Sequence, residues 1–405
     1  MRTIYVDKNI PRILLTKVLK PVWTGVVFSG LSPSHFAELP DPQLPGPRWV
    51  RVKNHQCGIC ASDLTLLTAA ADPSIAPAAL PGTQRFYLGH EVVGEVVEIG
   101  AGVTHVGLGQ RVIMDAQGAN CLNQEIDPPC PQCSRGNIAL CENASAGKGG
   151  SSAGGGWSDS YTTHETSIYL VPDALSDDQA VMAEPLSVGM RAALRRTPEP
   201  GQHVLVLGSG TIGLCTIQAL RALSPGCHIT CVARHTFQAE KARSLGTDEV
   251  LSGKDLYAST AEITGARLYT GMLGNRMLLG GFDVIYDCVG AARTLKDSLR
   301  CVKAGGTVVL VGINLKPLKL DLTPVWSQEV QLVGNVAHGH DAWQGKWWHD
   351  YDLVMDFMHA GKLTADGFIT HRFSLARWRE AARTAMDKRT GSIKVVIDHR
   401  MTAIS

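Results

Sequence analysis

A glycine-rich turn between a buried strand and a helix constrains the fold of this chain most strongly. The turn, GSGTIG at residues 208–213, follows the apolar run HVLVL and precedes a helical pattern and a second apolar run, HITCV. Gly208 permits a tight turn, Gly210 lets the backbone approach a pyrophosphate, and Gly213 lets the helix pack on the strand. The pyrophosphate would meet free N–H groups at the helix N-terminus. The sequence therefore predicts a dinucleotide-binding domain.

The residue that ends the second strand bears on the choice between NAD and NADP. A carboxylate about 20 residues after the glycines would hydrogen-bond the ribose and repel a 2′-phosphate. Here that position is Ala233, and Arg234 follows it. Because the carboxylate is absent and a guanidinium is adjacent, the sequence favours NADP over NAD. The alternative is that Arg234 is an exposed residue beside a permissive NAD site.

The pattern of strands and helices divides the chain into two domains. Strands alternate with helices over residues 196–342, which predicts a doubly wound parallel sheet. Residues 1–195 contain short strands separated by Gly and Pro, and residues 343–405 return to two helices and a strand. We therefore predict an α/β protein with a Rossmann domain inserted into a β-rich domain. The glycine-rich stretch 146–157 is predicted to be a loop rather than a phosphate cradle.

Composition excludes several classes of function. The 405 residues include 38 Lys and Arg and 37 Asp and Glu, so the net charge of +1 gives no electrostatic case for nucleic acid or an anionic membrane. No stretch of about 18 uninterrupted apolar residues is present, so no membrane span is predicted. The first twenty residues lack the pattern of a signal peptide. A cytoplasmic protein is therefore expected.

Four of the eleven cysteines lie close together in the sequence and indicate a metal site, whereas scattered cysteines are usually small buried side chains. Cys130 and Cys133 form a CxxC pair, and Cys141 follows eight residues later. Zinc takes four tetrahedral ligands, and a CxxC pair can supply two of them from one turn. Cys121 is the favoured fourth ligand of a structural zinc site, and Asp127 is the alternative.

A second candidate metal site combines three residues that are far apart in the sequence. Cys60, His90 and Glu184 would supply one sulfur, one nitrogen and one oxygen. Three protein ligands with an open fourth position are typical of a catalytic zinc site. Each residue by itself would more often be a packed core residue, and spacing alone does not bring the three together.

Taken together, seven segments resemble the zinc-containing alcohol dehydrogenases of the medium-chain dehydrogenase/reductase superfamily. The resemblance implies a GroES-like catalytic domain and hydride transfer between NAD(P) and an alcohol or its aldehyde or ketone. It also implies a homodimer or homotetramer. The matching segments are GICASD (58–63), LGHEVVGEV (88–96), CPQCSRGNIALCEN (130–143), AEPLSVG (183–189), VLGSGTIGL (206–214), DCVG (287–290) and GGTVVLVG (305–312).

The resemblance assigns roles to the residues of the second metal site. Cys60, His90 and Glu184 look like the ligands of the catalytic zinc. Glu91 looks like the nearby carboxylate that can exchange with them. The EPL form of the segment around Glu184 is more similar to the polyol and threonine dehydrogenases than to the ethanol enzymes.

Two residues next to Cys60 look like parts of the proton path and the metal surroundings. Ser62 is placed to take the alcohol proton and relay it outward. Asp63 is expected to orient the metal ligands. The relay histidine that is common in this family is replaced by Thr65. The stretch from residue 64 to 87 lengthens the connection to His90 and is expected to reshape the pocket entrance.

The resemblance also implies the residues that contact the cofactor. They belong to the glycine turn, to the end of the second strand and to the DCVG and GGTVVLVG segments. The expected cofactor-binding residues are Gly208, Gly210, Thr211, Ile212, Gly213, Ala233, Arg234, Val289, Gly290, Val311 and Gly312.

Two other functions are compatible with parts of this pattern. One is a zinc-free enzyme similar to the quinone reductases, which a metal assay would distinguish. The other is a non-catalytic NADP-binding or interaction protein, which alcohol-dependent cofactor reduction would exclude. The sequence does not identify the substrate. Trp343, Trp347 and Trp348 are candidates for lining the pocket, for the core or for a subunit contact.

Overall fold

The computed structural model of the protein describes residues 1–72, 85–115, 118–144 and 153–402. Residues 146–152 of the predicted loop and residues 73–84 of the predicted pocket-entrance stretch lie outside these residues. No helix of the described residues is long and apolar enough to cross a bilayer.

Two compact units make up the chain. The first unit is Met1–Glu184 together with Thr364–Ser405, and the second is Pro185–Leu363. The boundaries differ from the predicted ones, 195/196 and 342/343. The second unit is longer than predicted at both ends. It includes most of the helix that starts at Ala183 and every element from there to His359. The domain limits given by the sequence stay a prediction.

The part of the first unit that precedes the second unit contains eight strands and three α-helices in the described residues. In chain order these elements are β1 (Arg2–Asp7), α1 (Ile10–Leu19), β2 (Ser34–Glu38), β3 (Trp49–Gly58), α2 (Ala61–Leu67), β4 (Arg85–Tyr87), β5 (Glu91–Ile99), β6 (Arg111–Met114), β7 (Ser160–His164), β8 (Ile168–Leu170) and α3 (Asp177–Ala180).

The second unit alternates strands and helices. Its elements, starting with the helix that spans the boundary, are α4 (Ala183–Arg195), β9 (His203–Leu207), α5 (Thr211–Leu223), β10 (His228–Val232), α6 (Thr236–Ser244), β11 (Glu249–Leu251), α7 (Leu256–Thr264), β12 (Arg267–Thr270), β13 (Arg276–Leu279), β14 (Phe282–Asp287), α8 (Ala292–Cys301), β15 (Val302–Leu310), α9 (Thr323–Ser327), β16 (Gln331–Gly334), β17 (His340–Trp343), β18 (Lys346–His349) and α10 (Asp350–His359).

The chain then returns to the first unit and adds three elements, β19 (Ile369–Phe373), α11 (Trp378–Met386) and β20 (Lys394–Asp398). The main sheet of this unit has the order β19-β20-β3-β5-β6-β8, and β7 also pairs with β3. Strand β20 runs antiparallel to β3 and places Val396 opposite Gly58. On its other side β3 runs antiparallel to β5 and places Gly58 opposite Glu91. Strand β20 therefore lies next to the end of β3, whose other neighbour is the start of β5.

The second unit contains the predicted doubly wound sheet. Its six strands are all parallel in the order β11-β10-β9-β14-β15-β16. The apolar side chains of Leu205, Ile285 and Val308 are fully buried, as expected for strands covered on both faces. The chain order reverses between β9 and β14, the point at which such sheets bind ligands beyond the carboxyl ends of their strands. The predicted fold class is therefore confirmed for this unit.

Three features of the fold were not predicted from the sequence. They are the helix α1 and the antiparallel hairpins β12–β13 and β17–β18. The start of α1 has a local explanation, because the side chain of Asn9 accepts a hydrogen bond from the backbone N–H of Arg12 and Pro11 lies in the first turn. The hairpin strands have only four residues each, which is too short for a clear alternating pattern.

A buried carboxylate fixes the corner that follows β7. The Glu165 side chain accepts hydrogen bonds from Arg48 Nε at 2.6 Å and from the Thr104 N–H at 2.8 Å, and it lies 2.9 Å from His105 Nδ1. Burial by itself would raise the pKa of Glu165. The Thr104 N–H and the Arg48 guanidinium outweigh burial and lower this pKa to about 2. The folded state therefore favours the charged carboxylate.

We expect Glu165→Gln to lose roughly 1–3 kcal/mol of unfolding free energy near neutral pH, because the variant keeps the size of the side chain and loses its charge. The stabilising contribution of Glu165 is complete above its ordinary pKa of 4.5 and is lost as the pH falls toward 2. The difference between wild type and variant should therefore narrow on acidification. Urea unfolding at several pH values measures it, with the exposed Glu262→Gln as control. A loss that is equal at every pH would contradict this account.

Candidate functional site

The N-terminus of α2 joins two of the predicted metal ligands. Cys60 caps this helix, and the buried Asp63 lies in its first turn. One carboxylate oxygen of Asp63 accepts from the Cys60 N–H at 3.0 Å, and the other accepts from the Gly89 N–H at 2.9 Å. The second oxygen also lies 3.4 Å from His90 Nδ1. Asp63 thus holds the segment with Cys60 against the segment with His90.

Three potential ligand atoms meet at this place. One atom each of Cys60, His90 and Glu91 lies within 4.8 Å of the others. Burial by itself would lower the pKa of His90, but Asp63 and Cys60 raise it well above the ordinary value. These neighbours favour positive charge at the site. The sulfur, nitrogen and oxygen donors together are a set that zinc accepts.

Glu184 lies beside this group, but none of its atoms is among the three. It is the first acidic residue of α4 and is only partly exposed. Burial raises the pKa of its carboxyl group to about 7, the charge of His90 opposes this shift, and the charge of Glu91 adds to it. The structure thus brings ligand atoms of Cys60, His90 and Glu91 together. Glu184 is close enough for its carboxyl group to interact with the charges of His90 and Glu91.

A buried lysine that the sequence analysis missed contacts Glu91. Lys394, the first residue of β20, donates to both carboxylate oxygens of Glu91, at 2.6 and 2.5 Å, and to the carbonyl of Ile59 at 3.2 Å. The two charged side chains are 3% and 1% exposed. Burial by itself would lower the pKa of Lys394, but Glu91 raises it above the ordinary value. Lys394 therefore neutralises the carboxylate that the resemblance assigned as an exchanging ligand.

Close packing around Glu91 requires a glycine at the end of β3. A Cβ atom at Gly58 would lie 1.9 Å from Glu91 Oε2. In the sequence near Lys394, the feature that hints at the ion pair is a single cation at the start of the apolar strand KVVID. Since Glu91 and Lys394 are 303 residues apart, no short-range pattern connects them.

Two hydroxyl residues of α2 have different surroundings. Ser62 is partly exposed in the first turn, next to Cys60 and Asp63. Thr65, which occupies the position of the usual relay histidine, donates its hydroxyl to the Ala61 carbonyl at 2.9 Å. This bond lies within the helix, so the Thr65 hydroxyl is directed to its own backbone.

The second cysteine group of the first unit forms a compact sulfur cluster. One sulfur each from Cys121, Cys130, Cys133 and Cys141 lies within 4.8 Å of the others. Asp127 does not belong to this cluster. The structure therefore brings together the four cysteines that the sequence favoured, and four thiolates match the ligand set of a structural zinc site.

N–H groups donate hydrogen bonds to several sulfurs of this cluster, while burial raises the pKa of Cys133 and of Cys141. Cys121 Sγ accepts from the Cys130 N–H at 3.3 Å and from the Asn143 side-chain amide at 3.2 Å. Cys141 Sγ accepts from the Asn143 N–H at 3.3 Å. The backbone N–H of Cys133 is the main reason that the pKa of Cys130 is lowered to about 6. Such donors favour the deprotonated sulfur that a metal ion requires.

In the second unit, the glycine turn connects β9 to α5 as predicted. A Cβ atom at Gly213 would lie 1.8 Å from the carbonyl oxygen of Gly208, so only glycine allows this approach of helix to strand. Asp287, at the end of β14, accepts hydrogen bonds from the N–H groups of Val289 and Gly290, both at 3.0 Å. Its carbonyl accepts from the Gly312 N–H at 2.8 Å. The expected cofactor residues thus follow the carboxyl ends of neighbouring parallel strands.

The end of β10 carries the residues that bear on cofactor choice. Ala233 is buried, and its N–H donates to the Leu251 carbonyl at 2.9 Å, which extends the pairing with β11. Arg234 is exposed. The guanidinium is therefore available at the strand end where the adenosine ribose binds in such folds.

The three candidate tryptophans lie in the hairpin β17–β18. Trp347 is exposed, so it is not a core residue, and Trp343 and Trp348 are partly buried. The ammonium of Lys346 lies 3.3 Å from the centre of the Trp348 ring, a cation–π contact.

Two family models match this chain. Residues 46–173 match the alcohol dehydrogenase GroES-like domain, and residues 211–359 match the zinc-binding dehydrogenase domain. The first match identifies the β-rich unit as GroES-like, and the second agrees with the parallel sheet. Neither match supports the zinc-free or non-catalytic alternatives.

Relatives over most of the chain are dehydrogenases. The L-idonate 5-dehydrogenase of Vitis vinifera is 29% identical over 337 residues, which is 82% of both chains. The sorbitol dehydrogenase of Arabidopsis thaliana is 29% identical over 361 residues, 87% of this chain and 89% of the relative. The structure of an alcohol dehydrogenase from E. coli CFT073 with NADH has a TM-score of 0.74 and 22% identity, and covers 98% of this chain and 99% of that one. This last likeness concerns the fold.

The ion pair between Lys394 and Glu91 makes a prediction about stability. Lys394→Met should cost about 3–5 kcal/mol of unfolding free energy, because it leaves the Glu91 carboxylate buried without its partner. Adding Glu91→Gln should recover much of this loss, because both charges are then absent. Urea unfolding of the single and double variants measures the coupling between the two residues.

The matched control is Lys303→Met, which removes a more exposed lysine that pairs with Asp283. This variant should change stability by no more than about 1 kcal/mol. If Lys394→Met behaves like the control, or if the double variant is no more stable than Lys394→Met, the pair does not stabilise the fold in the way described.

Proposed function

Since this chain belongs to the zinc-type alcohol dehydrogenases of the medium-chain dehydrogenase/reductase superfamily, we propose that it oxidises one hydroxyl group of a polyol at a zinc site and transfers the hydride to NADP. Hydride transfer between an alcohol or carbonyl compound and a nicotinamide cofactor is the activity of the family. The site residues, the preference for NADP and the polyol substrate are our proposals.

The observation that carries this proposal is the group of Cys60, His90 and Glu91 atoms within 4.8 Å of one another, with Glu184 beside it. We propose Cys60, His90 and Glu184 as the zinc ligands. Glu91 remains paired with Lys394, which competes with a metal ion for its oxygens. Glu184 is the better ligand, because its carboxyl group has a raised pKa and a cation would stabilise its charged form.

Zinc in this site would polarise the substrate oxygen, and a nicotinamide cofactor would exchange hydride with the substrate carbon. The residues of the chain prepare the site for this chemistry. Asp63 fixes the position of His90 and of the Cys60 backbone through the contacts described above. Ser62 Oγ is proposed to receive the hydroxyl proton and pass it to solvent, as its partial exposure allows.

The proposed substrate class rests on the relatives and on one segment of the sequence. Two of the relatives are an L-idonate 5-dehydrogenase and a sorbitol dehydrogenase, and both substrates are polyhydroxy compounds. The AEPLSVG segment around Glu184 has the EPL form that resembles the polyol dehydrogenases. The resemblance to the family also implies a homodimer or homotetramer, and we propose such an assembly and a cytoplasmic location.

We expect two zinc ions per wild-type chain and reduction of NADP that depends on a polyol. Cys60→Ser should retain about one ion and lose activity, because it removes a ligand of the proposed catalytic site. Cys121→Ser should also retain about one ion but keep the ion near Cys60. Elemental analysis together with a panel of polyols, secondary alcohols and primary alcohols tests this. Two ions or full activity in Cys60→Ser would refute the assignment.

The proposed preference for NADP rests on Ala233 and the exposed Arg234. A charge-assisted hydrogen bond from Arg234 to the 2′-phosphate should contribute about 1.5–3 kcal/mol, roughly a tenfold to a hundredfold difference in affinity. Ala233→Asp should reverse the preference, because the new carboxylate repels the phosphate and accepts from the ribose hydroxyls. Comparing kcat/KM for NADP and NAD in both proteins measures this. A wild type that prefers NAD would show Arg234 to be an ordinary surface residue.

A further inference from the structure

A polar cavity in the first unit contains none of the residues assigned to the metal sites or to the cofactor. Its volume is about 380 Å³, within the range of pockets that hold small molecules. Lys53 and Asn54 of β3 line it, together with residues of β1, of β5 and of the segments next to β7 and β20. The cavity is therefore a separate place in the first unit, and its side chains indicate what it could bind.

Asn54 lines the cavity and keeps one side-chain acceptor. Its amide nitrogen donates to the carbonyls of Gly155 at 2.9 Å and Ser158 at 2.6 Å, which fixes the orientation of the amide. The amide oxygen, Oδ1, is buried and accepts no hydrogen bond from the residues that the structure describes. Because buried polar atoms are nearly always hydrogen-bonded, this oxygen requires a donor.

His399 also lines the cavity and keeps a second acceptor. Its Nε2 lies 2.8 Å from the Gly156 carbonyl, which can only accept, so Nε2 carries the proton. Burial lowers the pKa of His399 to about 4, so the ring is neutral near neutral pH and Nδ1 is an acceptor. Nδ1 is buried, and within the described part of the chain no donor bonds to it. Two residues of the cavity thus have acceptors that hydroxyl groups would satisfy.

One cation of the cavity has no carboxylate partner. Arg2 Nη2 donates to Asp159 at 2.8 Å, and Arg400 Nη2 donates to Asp398 at 3.1 Å. Lys53 is exposed and forms no ion pair with any residue that the structure describes. The Lys53 ammonium group is therefore available to an anionic group of a ligand.

An anionic ligand group fits this cavity better than an ammonium group. The described lining contains three cations, of Arg2, Lys53 and Arg400, and two carboxylates. One carboxylate, Asp159, is paired with Arg2. The other, Glu95, lies opposite Lys53 in the pairing of β3 with β5, and its Oε2 is 3.7 Å from His55 Nε2. An ammonium group would meet the excess of positive charge, whereas an anion would meet Lys53.

We propose that this cavity binds a small polyhydroxylated anion, whose hydroxyl groups donate to Asn54 Oδ1 and His399 Nδ1 and whose anionic group contacts Lys53. The ligand chemistry is several hydroxyl groups with one carboxylate or phosphate group, as in sugar acids and sugar phosphates. The proposal does not depend on the enzymatic function, since no residue of the cavity belongs to the candidate site.

Isothermal titration calorimetry of the full-length protein tests the ligand class. The probes are D-gluconate, D-glucose 6-phosphate, sorbitol and inorganic phosphate. At least one of the first two should bind, and sorbitol and inorganic phosphate should bind roughly tenfold to a hundredfold more weakly, because sorbitol lacks the charge and phosphate lacks the polyol hydroxyls. Comparing gluconate with glucose 6-phosphate identifies the anionic group.

The titrations use both the wild type and Cys60→Ser, because a polyol could also bind at the candidate zinc site. Binding in the cavity should be equal in the two proteins, and the four probes are compared in Cys60→Ser. Binding that is present in the wild type and lost in Cys60→Ser belongs to the zinc site and would overturn the proposal. Metal content and activity report on the proposed function separately.

Variants of the cavity locate the binding. Lys53→Met should weaken binding of the anions roughly tenfold to a hundredfold, and Lys53→Arg should retain it. His399→Phe should weaken binding of the same anions. The matched control is Lys319→Met, which removes an exposed lysine outside the cavity and should leave the affinity unchanged. Thermal unfolding checks that each variant is folded.

Three further results would overturn the proposal. One is no binding of either anion at millimolar concentration, which would leave ordered water as the donor to the two acceptors. Another is binding of sorbitol or inorganic phosphate to Cys60→Ser as tightly as the anions. The third is an unchanged affinity for the anions in folded Lys53→Met.

Discussion

The candidate site depends on the pairing of strand β3 with β5 on one side and with β20 on the other. Gly58 lies opposite Glu91 in one pair and opposite Val396 in the other. This arrangement brings Lys394 to the Glu91 carboxylate in the interior of the unit. Removing two charges from water is costly unless each finds a close partner. The final strand of the chain thereby completes the surroundings of a site whose other residues lie far earlier in the sequence.

The charges around the site explain why it suits a cation. Asp63, Glu91 and Glu184 are acidic, and the Cys60 thiol adds a further potential anion. The positive charge available to them comes from Lys394, which is bound to Glu91, and from His90, whose pKa is raised by its neighbours. Burial is the main cause of the raised pKa of Glu184, and the charge of Glu91 adds to it. A bound metal ion would favour the charged form of the Glu184 carboxyl group.

Local patterns predicted those parts of the fold and site that depend on neighbouring residues. The turn from Gly208 to Gly213 and the Cys130–Cys133 pair have fixed spacings that follow from backbone geometry and metal coordination. Cys121 was favoured by chemistry alone, and the structure places it with the other three cysteines. Lys394 was missed because its partner is 303 residues away. The resemblance implied that Glu91 lies near Cys60 and His90, but the absence of Glu184 from the group of atoms within 4.8 Å was not expected.

The direction that α1 faces shows why a helical pattern does not determine which side is buried. Residues 10–20 carry Arg12, Lys17 and Lys20 among apolar side chains, and by burial alone the apolar side chains would face inward. In the structure Lys17 and Lys20 donate to the backbone carbonyls of Ala71 and Thr68, which follow α2. The C-terminal end of a helix favours cationic donors of this kind. Ile10, Leu14 and Val18 are exposed beside these contacts, so the sequence pattern of the helix does not by itself decide which of its residues are buried.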